Sequence, residues 1–140
     1  MGDIDVLLNA LENDNNNFIL QYTSDELEDI KRHVLSELEL DDDDMEIMMN
    51  KLNDYVYIDE MKQFVPGVYI RWISLKNPDH IALTRGALVC DINICEKGTS
   101  VVCKNRINKY MQVRLDEAHM FRKLTPQEKV LLSAMNYLKK

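Results

Sequence analysis

At 140 residues and 46% apolar, the chain is long enough for one hydrophobic core and too short for two full domains. Its net charge of −7 hides a division: residues 1–64 hold eighteen Asp/Glu against four Lys/Arg, and residues 65–140 hold six against thirteen, so about −14 is followed by about +7. No apolar run approaches the roughly eighteen residues of a membrane-crossing helix. The acidic start does not read as a secretory signal, and Val6 stands where a myristoylation motif on Gly2 needs Ser or Thr. A protein without membrane attachment is therefore expected inside the cell, and three cysteines, an odd number, fit a reducing compartment better than a disulfide framework.

The first half reads as helices. Ile4, Leu7, Leu8 and Leu11 form a short apolar stripe that ends in the polar run 12–17. Thr23 and Glu26 have capping-box spacing and open a helix over 24–40, with Leu27, Ile30, Val34, Leu35 and Leu38 on one face. Asp41, Asp42, Asp43 and Asp44 would oppose the dipole at that helix's C-terminus, but they suit the first turn of a second helix through Met45, Met48, Met49 and Leu52. The tetrad is thus a cap and not a calcium loop, which spreads its oxygen ligands over about twelve residues around a central glycine. The three methionines are expected in the core; were they exposed, self-association as a homodimer would follow.

From Val65 the period changes to two. Pro66 and Gly67 open a strand over 68–75, Asn77 and Pro78 mark a loop, and strands over 87–95 and 100–104 join at Lys97 and Gly98 as a hairpin. Strands over 110–115 and 119–123 follow, and Thr125, Pro126 and Glu128 then cap a final helix whose buried face includes Leu131, Met135 and Leu138. The expected fold is α+β: an acidic helical region, 1–64, then a basic small five-stranded antiparallel barrel with a C-terminal helix, 65–140, the two forming one compact unit. With regular strands, Leu88, Cys90, Ile92 and Ile94 share the core face with Val101, Cys103, Met111, Val113 and Leu115. Asp91, Asn93, Cys95, Ser100, Lys104, Tyr110, Gln112 and Arg114 then face outward.

Catalytic chemistry finds little support. Cys90 and Cys95 differ by an odd number along one strand and no Cys-x-x-Cys pair exists, so no zinc site is expected. His33, His80 and His119 fall in a helix, a loop and a strand edge with no local nucleophile motif, and the four glycines make no phosphate loop. The protein is expected to be no enzyme and to need no cofactor. Lys97, Lys104, Arg106, Lys109 and Arg114 fall within eighteen residues, with Tyr110 among them. Cations beside an aromatic ring hold phosphates while a base stacks, although the same pattern also suits a plain solvated face. Tyr69, Trp72 and Phe121 join Tyr110 as a candidate aromatic cage for a methylated ammonium, but parity places Tyr69 and Trp72 on opposite sides of one strand.

The strands "PGVYIRWISL", "RGALVCDINI" and "VVCKNR" and the ending "FRKLTPQEKVLLSAMNYL", within 64–138, resemble uncharacterised proteins of large cytoplasmic DNA viruses of amoebae. The barrel this implies is similar to the Tudor and Src-homology-3 type, whose members bind peptides, methylated tails or nucleic acids. Two readings follow. One is a viral interaction module that binds a host or viral protein, with nuclear or chromatin-associated partners and a place in the host cytoplasm or nucleus. The other is a nucleic-acid-binding barrel that uses the basic strand and loop surface, masked by the acidic helices.

Overall fold

The computed structural model describes Leu8 and residues 20–138. The rest of the stripe, Ile4, Leu7 and Leu11, and the polar run after it lie outside the described residues. Helix α1, Ser24–Ser36, opens on the capping box: Thr23 Oγ1 accepts the Glu26 N–H and the Glu26 carboxylate accepts the Thr23 N–H. It ends four residues before the expected 40, in a turn that places Glu39 at φ +56°. Helix α2, Asp42–Lys51, is capped by Asp41, whose carboxylate accepts the Asp44 N–H at 2.8 Å, with Asp42, Asp43 and Asp44 in its first turn. The tetrad therefore serves the helix N-terminus. Met48 is buried and Met45 and Met49 are packed against the same cluster, so the methionine stripe is core.

Six strands follow: β1, Tyr55–Tyr57; β2, Tyr69–Ser74; β3, Ala87–Cys95; β4, Gly98–Lys104; β5, Tyr110–Arg114; and β6, Ala118–Lys123. They form one antiparallel sheet in the order β1-β6-β2-β3-β4-β5. The fold is α+β as expected, but the sheet is open and six-stranded and not a closed five-stranded barrel. The reason lies at β6. Closing a barrel would require β5 to pair with the outer edge of β6, and β1 takes that edge, with Tyr55 opposite Lys123 and Tyr57 opposite Phe121. β1 was invisible as a strand because three residues carry no period.

One sheet face packs Ile70, Trp72, Ala87, Val89, Val101, Cys103 and Met120 with Ile58 and Phe64. The other face, over β1, β6 and β2, packs Tyr55, Phe121 and Ile73 against Val34, Leu35, Met48 and Leu52 of α1 and α2. Helix α3, Pro126–Leu138, closes with Leu131 and Leu132 against Leu27 and Val56. Only the first part of its expected face is buried, since Leu138 is 72% exposed. The regular alternation expected along β3 also fails. A bulge between Val89 and Asp91 resets the register, so Ala87, Val89 and Ile92 turn inward. Leu88 and Cys90 are left exposed, and Ile94 lies near the tip of the hairpin, 68% exposed.

Two buried cations tie these layers together. Lys31, 1% exposed, donates from Nζ to the carbonyls of Leu52 and Tyr55 at 2.9 and 3.0 Å and pairs with Glu28. Arg122, on β6, donates to the Gln63 carbonyl at 2.8 Å and to the buried Glu128 carboxylate of α3. Removing one partner of such a pair leaves a buried charge alone. In urea unfolding, Arg122→Met and Glu128→Gln should each cost about 3–5 kcal/mol, and the double variant should cost clearly less than their sum. Strict additivity would mean that the two groups do not act as a pair.

Candidate nucleic-acid interface

The helices cover only the β1, β6 and β2 part of their face, so its β3 to β5 part faces outward. Register there places Tyr69 opposite Leu88, Leu88 opposite Lys104, and Lys104 opposite Tyr110. Directly opposed residues share a face, so these four side chains form one row across four strands. Tyr110 is 64% exposed, and the Lys104 ammonium sits 5.9 Å from the centre of its ring.

The row ends at the tight turn between β4 and β5. Asn105 Oδ1 accepts the N–H groups of Ile107 and Lys109, each at 3.0 Å, and the Asn105 N–H reaches the Lys109 carbonyl at 3.1 Å. Asn108 takes φ +63°, a conformation that asparagine tolerates well. This turn holds Arg106, Ile107 and Lys109 at its exposed surface, with Ile107 78% exposed.

Between this turn and the start of β3 lies a groove of about 290 Å³, walled by Tyr69, Trp72, Ile107 and Met111 and rimmed by Arg85 and Arg106. Thr84, Gly86 and Asn105 complete its lining, which contains no carboxylate. Its wall is held by several bonds: the Tyr69 hydroxyl donates to the Arg85 carbonyl at 2.7 Å, and the Trp72 N–H donates to Thr84 Oγ1 at 3.1 Å. Gly86, at φ +97°, lets the chain pass close to β2; a Cβ there would overlap the Ile70 carbonyl and come within 2.7 Å of the Tyr69 ring.

The residues singled out in the sequence therefore divide. Lys104, Arg106, Lys109 and Tyr110 come together, joined by Tyr69 and Trp72 at the groove. Lys97 and Arg114 lie at the far end of the β4–β5 hairpin, roughly 13 Å along β5. Arg114 is already occupied, donating to the Lys97 carbonyl at 2.7 Å and to Asp116 at 3.0 Å, with Glu117 nearby. Phe121 does not belong to a cage: it is fully buried under α1 and α2, because its position on β6 puts it on the helix-covered face. Arg85 went unnoticed as a lone cation beside a glycine; only the fold brings it to Arg106. Among the described residues, none of Arg85, Lys104, Arg106 and Lys109 makes an ion pair.

No group of three or more His, Cys, Asp or Glu able to hold a metal is found among the described residues, nor any helix long and apolar enough to cross a membrane. Cys90 and Cys95 are exposed, whereas burial, reinforced by the neighbouring Cys90, pushes the Cys103 thiol up to about 11. Two tests follow. Gly86→Ala should cost about 1–3 kcal/mol through its positive φ and the overlap with β2, read by urea unfolding, and an unchanged midpoint would remove that constraint. A maleimide at pH 8 should label the native chain at Cys90 and Cys95 only, the third label appearing on denaturation; labelling of native Cys103, detected by peptide mass, would contradict its burial. No protein-family model, no curated protein and no solved structure matches this chain.

Proposed function

We propose that this protein is a non-enzymatic module that binds nucleic acid on the row Tyr69, Leu88, Lys104 and Tyr110 and the adjoining turn. One observation carries the reading: Arg85 and Arg106 rim a groove without a carboxylate, Lys104 and Lys109 stand beside the exposed Tyr110, and none of the four makes an ion pair among the described residues. Phosphates neutralise such cations, and bases stack on such rings. The same charge disfavours a methylated ammonium, since a cation entering between Arg85 and Arg106 meets repulsion that ring attraction at about 0.5–2 kcal/mol does not clearly overcome.

Strands β2 to β6 support a finer reading of the fold. Four strands run as a meander, a short 3₁₀ turn at Leu115–Glu117 follows, and β6 returns beside β2. We read this as an opened relative of the Tudor-like and Src-homology-3-like barrels, with β1 added at the edge. The viral setting remains a proposal resting on the resemblance of residues 64–138. The acidic helices flank the row, and no ion pair among the described residues joins them to it. We therefore read the site as open to a ligand, without the masking by α1 and α2 that the charge division first suggested. A protein partner is the second reading, favoured by the exposure of Leu88, Ile94 and Ile107.

Salt separates the two. Four phosphate contacts on a single strand give a log–log salt slope near −3, so raising salt from about 50 to 200 mM should weaken binding of the full chain about fifty-fold in fluorescence anisotropy. Combining Lys104→Glu, Arg106→Glu and Lys109→Glu should abolish binding, while Lys62→Glu, placed elsewhere, should not. Absence of binding at low salt, or binding indifferent to the triple reversal, would overturn the reading in favour of the protein partner.

A further inference from the structure

We infer that the groove beside Trp72 receives one unstacked base, so that the protein selects single-stranded nucleic acid over duplex. This deepens the nucleic-acid reading and rests on it. The groove combines the two things a nucleotide presents. Tyr69, Trp72, Ile107 and Met111 supply aromatic and apolar walls for a flat base, and Arg85 and Arg106 supply guanidinium groups at the rim for the phosphates on either side of it. At about 290 Å³ it falls just below small-ligand cavities, which run from about 300 to 1,000 Å³, and has room for a nucleobase.

Among the described residues, two other cavities lack this combination. The groove of about 220 Å³ beside Phe64 carries Asp59 and Glu60, which repel phosphate. A wider one of about 370 Å³ beside Pro126 has Lys123 and Lys129, but Lys129 is held by Asp54 at 3.0 Å. The base site is also built in advance. Thr84 exchanges hydrogen bonds with Trp72 in both directions, its N–H reaching the Trp72 carbonyl at 3.0 Å, and the opposite wall stands on the Asn105 turn. A wall that needs no ordering on binding spares its entropy, which favours a base that leaves its stack. A duplex keeps its bases paired and stacked and reaches only the outer cations.

Trp72 is the single tryptophan of the chain; it is packed in the core, 8% exposed, and borders this groove, so a change in its emission on binding is read at one position. The full-length protein is titrated at low salt with labelled strands of about eight nucleotides, a length within single-strand site sizes: oligo-dT, oligo-rU, a strand of the same length and charge made wholly of abasic sugar phosphates, and a hairpin duplex. Trp72 emission and label anisotropy are followed together. The dT or rU strand, or both, should quench Trp72, and comparison of the two arms identifies DNA or RNA as the preferred strand. The abasic strand should bind about five- to a hundredfold more weakly and leave the emission unchanged, as loss of one stacked base requires. Ile107→Glu, at an exposed position, should remove the quench. Equal affinity for the abasic strand or the duplex, or a quench that survives Ile107→Glu, would overturn the base site while salt-dependent binding still upheld the phosphate contacts. No binding by any strand would retire both.

Discussion

The arrangement depends on a buried charge on the second strand of the sheet. Arg122 lies on β6 between Val56 of β1 and Ile70 of β2. Its guanidinium reaches the Gln63 carbonyl on one side and Glu128 on the other, while Glu128 also accepts the Thr125 N–H that opens α3. Gln63 in turn accepts the N–H groups of Asp59 and Glu60. One ion pair thereby fixes the segment after β1, the insertion of β6 and the start of the last helix. Such pairs add little net stability against an apolar replacement, but any other register of β6 would strand a charge in the interior. Its effect is to favour the strand order that pairs Arg122 with Glu128 and the Gln63 carbonyl.

Lys31 acts similarly on the opposite face. From α1 its ammonium reaches the C-terminal end of α2, where carbonyls have no helical partner and a cation is favoured, and it draws α1, the end of α2 and β1 to one point. The helices are therefore pinned over β1, β6 and β2 and extend no further. The charge division of the sequence becomes a division in space: acidic helices on one part of a sheet face, a basic and aromatic row on the other part of the same face.

Features whose cause is local were legible in the sequence. The boxes at Thr23 with Glu26 and at Thr125 with Glu128, the Asp41 cap and the Lys97–Gly98 turn each follow from a few adjacent residues. What could not be read depends on distant partners. β1 is a strand only because β6 offers an edge; the bulge at Cys90 exists only as a mismatch with β4; and Phe121 is core because of helices some eighty residues earlier in the chain. The cluster of Lys104, Arg106, Lys109 and Tyr110 was visible as a run, but the groove was not, since its walls come from four separate stretches around Tyr69, Arg85, Arg106 and Met111. Arg114 misled for the same reason: its neutralisation by Asp116 and its bond to Lys97 are properties of the folded turn.

The cations of the second half sort themselves by what they donate to. Arg71 is held by the carbonyls of Thr84 and Lys51, Arg114 by Lys97 and Asp116, Arg122 by Gln63 and Glu128, and Lys129 by Asp54. These positive charges serve the fold. Arg85, Lys104, Arg106 and Lys109 serve it in no comparable way, and they gather at one end of the sheet, where like charges repel one another and tax the stability of the turn. Local departures of this kind, held in place by a well-satisfied scaffold, accord with the binding site we propose, and here they coincide with a lining free of carboxylates. For the proposed ligand, the negative charge that these cations lack is the property it would bring.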